Sequence, residues 1–370
     1  MLDDTVTSPF GGNLVETLPL TGSRVAVAGL FKTRCGLQRG ARLMLADILR
    51  RGISAVAIDL SVPLHCAIDD PGQTLPTLAD VELAEVTDVI VHLNPPLFAA
   101  AAVFLKERIN LQARIIGYWA WELQVVSDAW RDCARLCSEI WVPSPFVAQT
   151  LLAGLPDFHG DIHVVPHQVD LDPMPCFDRE QRRCIRENRG IAPSDFVCGV
   201  SFAFGSNYAR KNPVAAIDAF MRAFAPDEAG VRLMIRCHDI RNNENLYEHL
   251  VSYAAADRRI EILDPSGRIW PIPRFYGALD AFISLHRSEG YGLQIAEAAQ
   301  AGVSALATAW GLAPDILARP ETIPIGYRIV RVLDPQGFYS QFPGARWAEP
   351  DTDEAASWLR LLRDRHVPWC

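Results

Sequence analysis

No uncharged apolar run in the sequence reaches the roughly 18 residues that a bilayer-spanning helix needs, and this excludes a transmembrane helix. The start, Met1-Leu2-Asp3-Asp4, lacks the basic and apolar regions of a secretory signal, so the expected location is the cytoplasm, extending to the inner face of the membrane. Positive charge is in short supply. Lys and Arg number 35 against 44 Asp and Glu, a net charge of −9 that argues against a nucleic-acid partner. The nine cysteines form no Cys-x-x-Cys pair, and Cys133 and Cys137, one helical turn apart, suit packing better than metal binding. An odd count also fits free thiols in a reducing compartment. Repeats and low-complexity segments are absent. No Asp-x-Asp falls where a strand is expected to end, and neither a metal nor a cofactor is expected.

With 370 residues, 49% of them hydrophobic, the chain can bury two sizeable cores. Residues 23–30 read as a buried first strand, 41–50 as an amphipathic helix and 54–60 as a second strand. The turn between strand and helix carries Gly36 and Gly40 with Arg39 and Arg42. A Gly-x-x-x-Gly of this kind is weak evidence for an anion site, since a helix start with solvated arginines looks the same. A strict Gly-x-Gly-x-x-Gly is missing there, which excludes the usual dinucleotide site of an oxidoreductase. Strand-like 88–93, a helix over 98–110 and strand-like 113–118 continue the alternation, so parallel α/β is the consistent reading. Trp119, Trp121 and Glu122 then stand at the expected carboxyl end of a strand, where ligands bind in open α/β sheets. Aromatic faces can stack on a sugar acceptor and a carboxylate can hold its hydroxyl, although a packed Trp pair with a salt-bridged Glu is an equal reading.

Residues 172–193 show no strong apolar period and read as a linker. Strand-like 196–202 follows, then a loop with Arg210 and Lys211 and a helix over 214–224 opened by Pro213. Adjacent cations at a helix start can face a diphosphate. Further strands at 231–237 and 259–263, with a helix over 244–256 between them, repeat the alternation.

The most informative stretch follows the strand-like run 281–285. Glu289-Gly290-Tyr291-Gly292-Leu293 leads into an Ala-rich segment containing Glu297, so it reads as strand, tight loop and helix. The free N–H groups at such a helix start suit phosphate, and the glycines allow close approach of a ligand to the backbone. Glu289 can accept from sugar hydroxyls. Glu297, about 7 to 8 Å along the helix, can take ribose hydroxyls. Solvated acids flanking a structural glycine turn are the competing reading.

Glu-Gly-Tyr-Gly-Leu-x3-Glu-Ala-x2-Ala-Gly-Val closely resembles the Glu-x7-Glu signature of retaining family 4 glycosyltransferases. His163-Val164-Val165-Pro166-His167-Gln168-Val169-Asp170 is similar to that family's crossover segment, and Gly117 to Glu122 with Glu139 to Ser144 look like its polysaccharide-assembly members. The resemblance implies an α/β GT-B fold of two facing Rossmann-like domains, with a C-terminal helix crossing back to the first. Residues 1–170 would form the acceptor-side domain, 171–348 the nucleotide-sugar domain and 349–370 the returning helix.

Further implications concern the site. The enzyme would move a sugar, with GDP-mannose as one donor, to a bacterial glycan or lipid-linked oligosaccharide, with peripheral membrane association open to it. Lys211, Arg210 and Glu289 would be catalytic. Donor contacts would come from Ser206, His286, Gly290, Tyr291, Gly292, Leu293 and Glu297, and across a cleft from Gly36 and Gly40. The base would rest near 263–273, and His92 or His167 is the candidate for the family's sugar-contacting histidine. Two departures stand out: Ser206 replaces an expected Arg, and Trp310-Gly311-Leu312-Ala313-Pro314 replaces a Gly-rich turn. A sugar-phosphate synthase and a silent nucleotide-sugar-binding module are the rival readings. Arg179, Arg182 and Arg183 are candidates for a membrane face, or for a merely solvated one.

Overall fold

The computed structural model describes residues 6–7, 13–14, 18–22, 24–70, 85–109, 112–263 and 270–366. They belong to two compact units, Met1–Asp172 and Pro173–Cys370. The first unit contains β1 (Val6–Thr7), β2 (Asn13–Leu14), β3 (Arg24–Gly29), α1 (Gly36–Arg50), β4 (Ser54–Asp59), β5 (Asp88–Val91) and α2 (Leu97–Lys106). It continues through β6 (Arg114–Tyr118), α3 (Asp128–Ala134), β7 (Glu139–Val142), α4 (Pro145–Gly154) and β8 (Ile162–Val164). Its strands run in the order β1-β2-β8-β7-β6-β5-β3-β4, parallel except for β1 against β2. The continuous apolar run of β3 follows from coverage on both faces. Val25 and Val27 pack with Met44 and Ile48 of α1, whereas Ala26 and Ala28 pack with Phe98 and Ala101 of α2.

The second unit contains α5 (Arg179–Glu187), β9 (Phe196–Ala203), α6 (Tyr208–Lys211), α7 (Pro213–Ala223), β10 (Val231–His238), α8 (Glu244–Ala254), β11 (Ile260–Leu263) and α9 (Ile272–Ala278). Next come β12 (Ala281–Ser284), α10 (Leu293–Gln300), β13 (Ser304–Thr308), α11 (Pro314–Leu317), β14 (Thr322–Ile325), β15 (Tyr327–Arg331), β16 (Arg346–Pro350) and α12 (Thr352–Asp364). A parallel sheet runs β11-β10-β9-β12-β13-β14, and β15 pairs with β16 as a separate antiparallel ribbon.

The expected linker contains a helix. α5 starts at a capping box on Asp178, and its inward face is made of arginines, which is why no apolar period marks it. Arg186 is fully buried and donates to the carbonyls of Ala278 (3.0 Å) and Asp195 (3.1 Å) and to Asp280 (2.7 Å). Arg182 is buried too and donates to the Leu279 carbonyl, so it is unavailable to a membrane face. The closing helix α12 buries Ala355, Ala356 and Leu359 in the second unit's own core with Phe220 of α7.

Candidate functional site

In the second sheet, connections from β9 run outward to β10 and β11 on one side, then return to β12, β13 and β14 on the other. The order reverses between β9 and β12, which pair directly at Ala281 with Cys198. Such a switch point leaves a crevice at the carboxyl ends of its two strands. The loop with Arg210 and Lys211 follows β9, and the loop with Glu289 follows β12, so both open on this crevice.

The cation loop is set by two asparagines in left-handed backbone, Asn207 (φ 72°) and Asn212 (φ 52°), a conformation asparagine tolerates better than most residues. Between them lies the single turn α6. Asn207 caps it by accepting from the Arg210 amide at 2.9 Å, and Asn212 donates to the Leu285 carbonyl at 3.0 Å. The Arg287 amide donates to the Arg210 carbonyl at 2.7 Å, which ties the two loops edge to edge.

This backbone brings the predicted catalytic residues together. Lys211 Nζ donates to Glu289 Oε1, and Arg210 Nη1 stands 3.3 Å from the same oxygen. Arg210 also donates to the carbonyls of Ser288 (3.0 Å) and Ser206 (2.7 Å). Its guanidinium therefore reaches back over position 206, where the family pattern expects an arginine. Burial alone would raise the Glu289 carboxyl, but Lys211 and then Arg210 outweigh it and hold the pKa at about 2. Glu289 is a carboxylate at neutral pH. Beside it, His286 is fully buried and burial lowers its pKa to about 3, so the imidazole is neutral.

Gly292 has φ 110°, open to glycine and strained for other residues, and it opens α10 with no side-chain cap. Gly290, Tyr291 and Leu293 adjoin it. The Tyr291 hydroxyl donates to Asp315 at 2.7 Å, and the Ala313 amide donates to the Tyr291 carbonyl at 3.0 Å. A Cβ on Gly311 would come within 2.2 Å of the Glu289 carbonyl oxygen. The unusual Trp310 to Pro314 turn therefore backs the acid loop. Glu297 is buried, not solvated on an outer face, and its charge joins burial in raising the Tyr276 hydroxyl well above its ordinary value. Of the segment 263–273 assigned to the base, 264–269 lie outside the described residues. At its edge, Arg236 donates to the Trp270 carbonyl at 2.9 Å and to Ser201 at 3.3 Å.

In the first unit the structure corrects several expectations. The helix starts at Gly36, five residues early, because Cys35 caps it by accepting from the Gln38 amide at 3.5 Å. Gly40 consequently sits inside α1 instead of in a phosphate-binding turn. A Cβ there would come within 2.5 Å of His92 and 2.7 Å of His167, so this glycine makes room for two histidines. Arg39 is paired with Asp172, and Arg42 with Asp70 at 3.0 Å. His92 stacks on Tyr118 with ring centroids 4.3 Å apart, and Tyr118 contacts His167 Nδ1 at 3.3 Å. Burial lowers His92 to about 3.

Trp119 is fully buried among Phe98 and Trp130, and Trp121 leans on Trp130 while its Nε1 donates to the Val125 carbonyl at 2.8 Å. Trp119 therefore offers no face to an acceptor, whereas Trp121 is half-buried. Glu122 beside them is half-buried.

Sequence reasoning missed the residues that brace the crevice loops. Asp334 accepts from Asn207 Nδ2 at 2.7 Å, Gln336 accepts from the Tyr208 amide at 2.5 Å and donates to the Phe204 carbonyl at 3.1 Å, and Glu349 pairs with Arg287. Their distance along the chain hides them; only Arg287, inside the signature, carries a local hint.

No protein-family model matches the sequence, and no curated protein matches it. Solved structures do match the fold. A glycosyltransferase from Rickettsia africae ESF-5 superposes with a TM-score of 0.59 at 13% identity, covering 94% of each chain. WaaG, a glycosyltransferase involved in lipopolysaccharide biosynthesis, gives 0.56 at 16% identity over 92% of this chain and 90% of its own. Anabaena HepE, solved in complex with UDP and glucose, gives 0.56 at 13% identity over 92% and 89%. At such identities the likeness establishes architecture alone, and with two parallel α/β sheets in order it establishes this one: the chain has the GT-B fold.

Proposed function

We propose that the chain is a glycosyltransferase that moves a sugar from a nucleoside-diphosphate donor to a glycan acceptor, with retention at the anomeric carbon. The observation that carries this reading is the convergence of Lys211 and Arg210 on Glu289 at the switch point of the second sheet. A departing diphosphate needs cations held ready before charge develops on it, and Lys211 and Arg210 are fixed by their loop in advance. Glu289, ionised and ion-paired, suits holding sugar hydroxyls better than attacking carbon. The N–H groups of Gly292 and Leu293 at the start of α10 would take phosphate oxygens. UDP sugars are the first donors to test, because HepE was solved with UDP and with UDP-glucose; GDP-mannose remains a candidate on the sequence resemblance only.

The test is thermal denaturation with UDP-, GDP- and ADP-sugars, followed by an assay of nucleoside diphosphate release and of product anomer by NMR. A donor at 100 times its Kd stabilises the fold by about 2.7 kcal/mol, enough to read as a melting shift. A shift with diphosphate release supports the transferase. A shift with no release under any acceptor would replace it with a silent binding module, and no shift at all would refute donor binding.

A further inference from the structure

The ribbon β15–β16 carries positive charge that nothing in the described chain neutralises. Arg331 lies directly opposite Arg346 in the antiparallel register, both exposed, and neither has an ion-pair partner among the described residues. Arg328 faces Glu349, but both oxygens of Glu349 are taken by Arg287. Like charges held directly opposite each other weaken a ribbon, so the arrangement is one that an external anion would relieve. Asp334 is the acid nearest these arginines in the joining loop, and it is turned inward: its oxygens accept from Asn207 Nδ2, the Gln336 amide and the Tyr339 amide at 2.7, 3.0 and 2.9 Å.

Beside this charge stand large apolar side chains in solvent. Leu333, two residues beyond Arg331, is 77% exposed, and Phe338 in the same loop is 52% exposed. A soluble anion would use the arginines and leave these side chains idle. An anionic bilayer would use both, with phosphates against the guanidinium groups and apolar tips in the acyl boundary. The chain's net charge of −9 opposes approach to such a bilayer overall, so a local cationic patch would fix which face approaches.

We propose that the arginine end of β15–β16 and the loop 332–345 dock the second unit on an anionic lipid surface, with Leu333 and Phe338 inserted. The claim is independent of whether the chain turns over a nucleotide sugar, since its readout is sedimentation.

The experiment pellets the full chain with phosphatidylcholine vesicles, with and without phosphatidylglycerol. Pelleting is expected with the anionic vesicles only, weakening as salt is raised. Arg331→Ala/Arg346→Ala should weaken partitioning roughly thirtyfold, from about 1 kcal/mol per cation at the surface, and Leu333→Asp should weaken it as well. Both variants change exposed residues, so an unaltered melting temperature confirms intact fold. Failure of the parent chain to pellet would overturn the proposal, as would pelleting that survives the double arginine variant. Pelleting insensitive to both Leu333→Asp and Phe338→Asp would reduce the contact to charge adhesion and overturn insertion. A concentration-dependent dimer lost in Leu333→Asp, without vesicle binding, would assign the patch to a second copy of the chain and overturn the lipid reading.

Discussion

Arg287 donates to both carboxylate oxygens of Glu349, at 2.7 and 3.1 Å, and its Nη1 donates to the Ala209 carbonyl at 2.7 Å. One guanidinium thus joins the acid loop, the cation loop and strand β16. Neither residue touches the crevice chemistry directly; they are positioning residues. Arg287→Lys keeps the charge and loses the planar fork. It should lower turnover about ten- to a hundredfold, in the range that small misplacements of reacting groups produce, while leaving donor KM little changed. Glu349→Gln, which still accepts a hydrogen bond, should lose less. Full turnover in Arg287→Lys, measured as diphosphate release, would remove the brace from the mechanism.

Lys211 and Glu289 should separate stability from chemistry. Lys211 and Glu289 are partly buried, and truncating Lys211 leaves Glu289 with Arg210 at 3.3 Å as its remaining cation. The cost should therefore fall below the about 3 to 5 kcal/mol of a fully buried pair broken to leave a lone charge, while losing one donor aimed at developing charge typically costs about a hundred- to a thousandfold in turnover. Lys211→Ala is therefore expected to lower both melting temperature and turnover. Lys211→Met/Glu289→Gln removes both charges and should recover much of the melting temperature with none of the turnover. Calorimetry beside the release assay checks this, and an active double variant would contradict the assigned roles.

Local composition marks some parts of this molecule and hides others. Strand runs such as Val25 to Ala28 and the glycine turn at Gly290 and Gly292 are written in local composition, because a strand buried on both faces must be apolar and a tight loop needs its glycines. Lys211 and Arg210 were legible for a similar reason, being adjacent and next to Pro213. Gly40 was not, because what a helical glycine makes room for depends on His92 and His167, far away in sequence. Trp119 points the same way: an aromatic at a strand end reads as a ligand platform until Phe98 and Trp130 are seen to enclose it. α5 was hidden because its buried face is guanidinium instead of hydrocarbon, satisfied by carbonyls of residues 195, 278 and 279.

Gly311 presses on the loop that carries Glu289 and does so with φ 74°, so alanine there meets both backbone strain and a carbonyl oxygen at 2.2 Å. Gly52 has a similar φ of 76° with nothing within 4 Å of its would-be Cβ. The pair separates strain from displacement. Gly52→Ala should cost about 1 to 2 kcal/mol, as a left-handed L-residue does, and leave turnover intact. Gly311→Ala should cost more stability and lower turnover by pushing Glu289 away from Lys211. Equal activities in the two variants would show that the Trp310 to Pro314 turn does not position the acid.

The buried histidines make the fold sensitive to mild acid. His286 and His92 are fully buried, both ring nitrogens of each have no hydrogen-bond partner among the described residues, and burial lowers each pKa from 6.5 to about 3. Below pH 6.5 the unfolded chain takes up protons that the folded chain refuses until about pH 3, so this stability is complete above 6.5 and is lost as pH falls toward 3. At about pH 5 the loss is about 2 kcal/mol for each histidine. Burial lowers His167 as well and adds to the effect, whereas Asp315, raised by burial, opposes it. Melting temperature should therefore fall by several degrees between about pH 7.5 and about pH 5, and His286→Asn, which has no proton to take up in this range, should make the fall shallower. A melting temperature flat across this interval, or a slope unchanged by the substitution, would mean that these imidazoles are reached by water and protonate in the folded chain.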